Sequence, residues 1–216
     1  MSEVGVRTVA GLIMIFVALT AQWFGGTVFA VFVAAAATLM YYEWARLVRG
    51  WGFHWHVAGF FYALLPALAL LWVRERGDVP GGHDDGFSLV LWAFIITWTA
   101  DIGAFFVGRA FGGPKLAPKI SPNKTISGLV GGIVAATLIG GLWAVNRELH
   151  WGWLLLAPVF AFAAALGDLF ESGMKRRAGV KDTGAIIPGH GGVLDRLDGL
   201  VPVAVLTGLA VIAGLR

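Results

Sequence analysis

Two aspartates three residues apart, Asp195 and Asp198, close a glycine-rich basic stretch, GMKRRAGVKDTGAIIPGHGGVLDRLDG, running from Gly173 to Gly199. At that spacing on a helix two carboxylates project to one side. A third acid, Asp168, stands just ahead of the stretch, and a fourth, Asp101, lies far upstream inside an apolar run. A second basic stretch, GRAFGGPKLAPKISPNKT (Gly108–Thr125), carries four Lys or Arg residues, three prolines and no acid. Carboxylates beside Lys and Arg suit a hard cation such as Mg²⁺, which takes one or two carboxylates plus phosphate oxygens. Glycine N–H groups and cationic side chains suit the remaining phosphate oxygens. Such a set is equipment for displacement at phosphorus, where catalysis is mostly positioning and electrostatics.

The elements that hold these groups are set by composition. Of 216 residues, 58% are hydrophobic and only 13% charged, against roughly 25% charged in an ordinary soluble domain. That is too little polar surface to coat a soluble globule and too much apolar surface for a disordered chain. The class expected is an all-α polytopic membrane protein. There is no cysteine, which excludes disulfides, thiolate metal sites and a cysteine nucleophile. The net charge of +3 needs no nucleic-acid partner, because basic residues collect on one side of a membrane protein.

A helix needs about 20 apolar residues to cross a bilayer. Seven stretches qualify: Thr8–Phe24, Thr27–Tyr42, Phe53–Val73, Phe87–Val107, Ile126–Val145, Trp151–Phe170 and Leu200–Leu215, the first two joined as a tight hairpin at Gly25-Gly26. With the N-terminus inside, the inner segments hold twelve basic residues: Arg7, Arg46, Arg49, Arg109, Lys115, Lys119, Lys124, Lys175, Arg176, Arg177, Lys181 and Arg196. The outer segments hold four, Arg74, Arg76, Arg147 and Arg216, so the expected orientation is N-in, C-out. Residues 1–86 then form N-terminal helices of less certain role. Residues 87–216 form the catalytic helices of one transmembrane domain, with inner loops 108–125 and 173–199. The fifth stretch bears a small-residue ridge, Gly128, Gly132, Ala136, Gly140 and Ala144, expected to pack tightly against another helix and to serve as a homodimer face. Trp51, Trp55, Trp151 and Trp153 read as interface anchors. His54, His56, His83 and His150 read as interface or loop residues, and Glu75, Asp78, Asp84 and Asp85 as a solvated outer turn.

Asp101 lies six residues before Val107, about 9 Å deep at 1.5 Å per residue. Asp168, Asp195 and Asp198 fall at the same inner level. Ionisable groups at that depth are costly unless a polar cavity or partner receives them. The residues alone therefore indicate a membrane enzyme handling a nucleotide or phospholipid phosphate from the cytoplasmic side.

Residues 172–198, SGMKRRAGVKDTGAIIPGHGGVLDRLD, resemble the signature of the phosphatidate cytidylyltransferase (CDP-diacylglycerol synthase) family. Ser172, Lys175, Arg176, Lys181, Asp182, Gly184, Pro188, His190, Gly191, Gly192, Asp195, Arg196 and Asp198 all match its fixed positions. The likeness extends to Asp101, to Ser121–Thr125 and to Gly167-Asp168, while the first hundred residues are only generically hydrophobic. The resemblance implies CTP + phosphatidate → CDP-diacylglycerol + pyrophosphate with Mg²⁺, a second cation being left open. It implies Asp168, Asp195 and Asp198 as metal ligands. Lys124, Lys175, Arg176, Lys181 and Arg196 would hold CTP phosphates or the lipid headgroup. Ser121, Thr125 and Ser172 would add hydroxyls, and His190 with Gly191-Gly192 would shape a turn at the nucleotide. The expected location is a bacterial plasma membrane, with the basic inner loops and the active site facing the cytoplasm. A CTP-dependent enzyme acting on another lipid phosphate or a polyprenol is the alternative. A CDP-alcohol phosphotransferase motif fails after Asp198-Gly199, where Leu200, Val201, Pro202 and Val203 follow. A transporter is disfavoured because the polar groups gather at one face and no internal repeat is visible.

Overall fold

The structure is a computed structural model that describes residues 3–76 and 85–215. His83, Asp78, Asp84 and Arg216 lie outside the described residues. In chain order the elements are α1 (Glu3–Phe24), α2 (Gly26–Leu47), α3 (Phe53–Glu75), α4 (Asp85–Phe111), β1 (Lys115–Ala117), β2 (Ser121–Thr125), α5 (Ile126–Asn146), α6 (Gly152–Arg177), α7 (Leu194–Leu197) and α8 (Leu200–Ile212). Among the described residues, six helices are long and apolar enough to cross a membrane, and α8 is a shorter apolar helix of 13 residues. The all-α polytopic expectation holds, with one addition. The first basic loop contains an antiparallel two-stranded ribbon that pairs Lys115 with Thr125 and Ala117 with Ser121.

Each apolar run becomes a helix because only intrasegment hydrogen bonds satisfy the backbone in hydrocarbon. α2 and α6 run farthest past the ends of their apolar stretches, α2 continuing to Leu47 and α6 to Arg177. Their last turns carry Arg46 and Lys175, Arg176 and Arg177, cations that the C-terminal end of a helix favours. Between α1 and α2 the chain reverses at Gly25 and Gly26, with φ of 60° and 47°, a region that glycine enters without steric cost.

Contacts sort the helix ends into two levels. At one, Gln22 of α1 donates to the Phe87 carbonyl of α4 and Trp143 of α5 donates to the Ser88 carbonyl. At the other, Glu43 of α2 meets the start of α7. Between them lies an aromatic core in which Trp92, Trp153 and Phe160 sit edge to face at 5.0–6.1 Å. Trp153 is fully buried there, so it is a core residue and not the interface anchor expected. Trp151 is 68% exposed and fits that part.

The small-residue ridge packs against α4 of the same chain. A methyl group added at Gly128 would come 2.8 Å from the Ala104 carbonyl oxygen, and one at Gly140 would strike Ile96. Gly128, Gly132, Ala136, Gly140 and Ala144 are all buried in the single chain. The ridge is thus not available as the homodimer face expected of it. A comparable close approach joins α6 to α8: Pro202 has no N–H to offer the Asp198 carbonyl, and only the missing side chain of Gly167 leaves that oxygen room.

Candidate active site

The run GDLFESGMKRR places Asp168, Glu171, Ser172 and Lys175 on one face of α6, at steps of three and four. Lys175 Nζ lies 3.3 Å from Glu171 Oε2 and 2.8 Å from Asp195 Oδ1, tying α6 to α7. Lys124, carried on β2, pairs with Asp168. Ser172 Oγ donates to Asp168 Oδ1 at 3.4 Å. The Glu171 side chain is 1% exposed, and neither of its oxygens has a hydrogen-bond partner.

Asp195 organises the loop between α6 and α7. Its Oδ2 accepts from Thr183 N at 2.9 Å, Thr183 Oγ1 at 3.0 Å and Gly192 N at 2.7 Å. Burial alone would raise this carboxyl, but the Lys175 ammonium and the Gly192 and Thr183 amides outweigh it and hold the group below the usual carboxylate range. Asp198 goes the other way: burial raises it and the neighbouring Asp168 charge adds to the rise, although the Gly199 amide and the Lys175 ammonium offset part of it. Around His190 the chain turns tightly, with Gly189 and Gly191 at φ of 73° and 84° and Ile187 N bonded to Gly191 O at 2.9 Å. The His190 ring lies against Gly11 of α1, its buried Nδ1 without a partner.

Beside the α6 carboxylates, a cavity of about 600 Å³ opens between α4, α5, α6 and β2. Its walls are mostly apolar, among them Ala104, Leu129, Ile133 and Ala161, while Asp101, Arg109, Asn123, Lys124 and Asp168 supply its polar lining. Thr125 also lines it, but its hydroxyl caps α5 by accepting from Gly128 N at 3.1 Å. A smaller cleft of about 90 Å³ on the other side of α7 has Arg196 and Leu197 at its edge.

The structure thus brings together Asp168, Ser172, Lys175, Asp195 and Lys124, with Asp198 adjoining Glu171 and Asp168. Arg176, Lys181 and Arg196 are exposed around this group. Arg176 donates to the Ile120 carbonyl and Arg196 to the His190 carbonyl. Ser121 begins β2 outside the cavity lining. Sequence reasoning passed over Glu171, Glu43, Tyr62 and Arg109. The first was detectable, since it repeats the helix face of Asp168 and Lys175. Tyr62 was not: its ring packs at a tilt against Trp44 and Phe170, centroids 4.9 and 5.7 Å away, and its buried hydroxyl lies among the charges of Asp198, Glu171 and Asp168 without a hydrogen-bond partner.

The donor chemistry fits a hard divalent cation. Asp168, Glu171 and Asp198 are neighbouring oxygen donors, and the buried Glu171 oxygens have the Lys175 ion pair but no hydrogen-bond partner. Among the described residues no three such side chains are gathered closely enough to hold an ion as they stand. Lysines occupy the acids instead, Lys124 on Asp168 and Lys175 on Asp195. Of the expected trio, Asp195 has both oxygens engaged.

Residues 52–212 match the cytidylyltransferase family. The chain belongs to that family. It is 36% identical over 256 aligned positions to the phosphatidate cytidylyltransferase of Brucella suis biovar 1, covering 95% of this chain and 92% of the relative. The phosphatidate cytidylyltransferase of Staphylococcus epidermidis is 46% identical over 133 residues, 60% of this chain and 51% of its own length. That of Haemophilus influenzae is 45% identical over 127 residues, 55% and 44% of the two chains. The family match takes in α3 to α8, and with them all the acids of the cluster and both basic loops.

Proposed function

We propose that this protein transfers the cytidylyl group of CTP to phosphatidate, giving CDP-diacylglycerol and pyrophosphate. The observation that carries the reading is the junction of a largely apolar, 600 Å³ cavity with acids and ammonium groups at its polar end. Apolar walls between helices suit the acyl and glycerol parts of a lipid, and the polar end suits its phosphate. Lys124, with Arg109 and Asn123 in the same lining, holds that phosphate. Arg176, Lys181 and Arg196 meet the CTP phosphates from the exposed rim, and Lys175 is fixed behind them by Asp195 and Glu171. A lipid phosphate oxygen attacks the α-phosphorus of CTP. The bond from that phosphorus to the bridging oxygen breaks, and pyrophosphate leaves with the electron pair. Phosphatidate brings its own nucleophile, so no side chain need form a covalent intermediate.

A Mg²⁺ ion would be held by Asp168 and Asp198 with Glu171 as a further oxygen donor, and by Asp195 once Lys175 releases it. The chemistry such an ion supplies when bound is neutralisation of phosphate charge. The end of the bundle rich in Lys and Arg faces the cytoplasm of a bacterial plasma membrane in this reading. A homodimer would use a face other than the α5 ridge.

Detergent-purified protein, labelled CTP and Mg²⁺, offered a panel of lipid phosphates, tests the proposal. Phosphatidate is expected to be labelled fastest. Faster labelling of another lipid phosphate would overturn the substrate, and no labelled lipid at all would overturn the reaction. Asp195→Asn breaks a buried pair, a change that costs about 3–5 kcal/mol. It should slow transfer about a hundredfold or more, with helical circular dichroism retained.

A further inference from the structure

Glu43 has no part in the reaction just described, and it lies ahead of residues 52–212, which carry the family match. It stands near the end of α2 and is 0% exposed. Its carboxylate accepts from Val193 N at 3.0 Å, Leu194 N at 2.8 Å and Thr183 Oγ1 at 3.2 Å. All three partners are neutral donors from the loop that precedes Asp195. Taking a carboxylate out of water is costly, and a neutral side chain would serve for packing alone. What the acid adds is several acceptor lone pairs at one point, enough to gather donors from both limbs of the loop.

Thr183 links this anion to the site. Its hydroxyl lies 3.2 Å from Glu43 Oε2 and 3.0 Å from Asp195 Oδ2, and its N–H bonds Asp195 at 2.9 Å. One hydroxyl proton serves one carboxylate at a time, so Glu43 and Asp195 share the same clasp. The loop is also shaped around the acid. A methyl group on Gly184 would lie 2.6 Å from Glu43 Oε1, and one on Gly192 would strike the same carboxylate. Glu43 therefore fills the hollow that these two glycines leave in the loop.

We propose that Glu43 is a positioning residue: from α2 it sets the seating of residues 183–194, hence of Asp195 against Lys175, and through them the affinity for CTP. The part concerning CTP rests on the function proposed above. Glu43→Gln keeps the volume but turns one acceptor oxygen into an NH₂ group facing a backbone N–H.

Two measurements on the full chain in detergent decide it. In hydrogen exchange, peptides covering 183–194 should exchange roughly tenfold faster in Glu43→Gln, while α4 and α5 peptides stay as in the parent. Unchanged exchange across 183–194 would overturn the proposal. In steady-state assays KM for CTP should rise roughly tenfold with KM for phosphatidate within about twofold. A fall in kcat with both KM values unchanged, the mark of a merely structural residue, would overturn it as well. A parent protein that makes no CDP-lipid would sink the substrate reading and leave the exchange result to decide Glu43. Should Glu43→Gln not fold, Thr183→Val breaks the same clasp with Glu43 in place. It is expected to move both readouts in the same direction, and no movement in either would count against the proposal.

Discussion

The two ends of the bundle use polar side chains in opposite ways. At the end that holds Gln22 and Ser88, Gln22 donates to the Phe87 carbonyl at 3.0 Å, Arg74 to the Gln22 carbonyl at 3.3 Å and Trp143 to the Ser88 carbonyl at 2.9 Å. Arg147 donates to Ser88 Oγ at 2.9 Å. Most of these bonds run from a side chain to a backbone carbonyl, which closes a helix end and leaves little to react. At the end that holds Glu43 and Asp195 the acceptors are carboxylates and the donors are lysines or loop amides. Thr183 is shared between two acids, Lys175 bridges two, and the Glu171 oxygens have no hydrogen bond. Bonds to carbonyls lock a fold. Crowded acids held apart by exchangeable ammonium groups store a capacity to receive another charged species.

That contrast can be broken by substitution. Lys124→Met removes the ammonium from Asp168 and from the cavity lining. A hydrogen bond to a charged group is worth about 1.5–3 kcal/mol, so KM for the lipid phosphate should rise about tenfold or more, measured by transfer at varied phosphatidate. Thr125→Val deletes the cap on α5 and should lower stability by about 1 kcal/mol, read as a drop in unfolding temperature with KM for CTP unchanged. Ser88→Ala at the opposite end leaves Arg147 without its hydroxyl acceptor and should cost about 1 kcal/mol of stability at most. Its transfer rate should stay within about twofold of the parent. A Ser88→Ala enzyme crippled in transfer would show that the two ends are not separable in this way.

Much of this was legible beforehand because its causes are local. Apolar runs fixed where the long helices lie, though α2 and α6 run on past them to Leu47 and Arg177, and the spacing around Asp168, Lys175 and Asp195 pointed to one cluster. What escaped depends on distance along the chain. Glu43 meets Val193 and Leu194 across about 150 residues, a separation that no periodicity encodes. The ribbon at Lys115–Ala117 and Ser121–Thr125 escaped for a different reason: SPNKT has no apolar alternation, and its pairing is set by the turn between α4 and α5. Trp153 was misplaced because tryptophan near a span end suits both an interface belt and a core. Only its neighbours Trp92 and Phe160 decide between them.

The shortness of α8 has a consequence for traffic at this site. Thirteen residues rise about 20 Å, some 10 Å less than the hydrocarbon core of a bilayer. The Asp198 carbonyl lies against Gly167, ten residues before the end of α6 at Arg177, so the turn that carries Asp195 and Asp198 sits about 15 Å below that end. On the proposed reaction, the lipid would keep its tails at their ordinary depth, and the water-soluble nucleotide would make the descent.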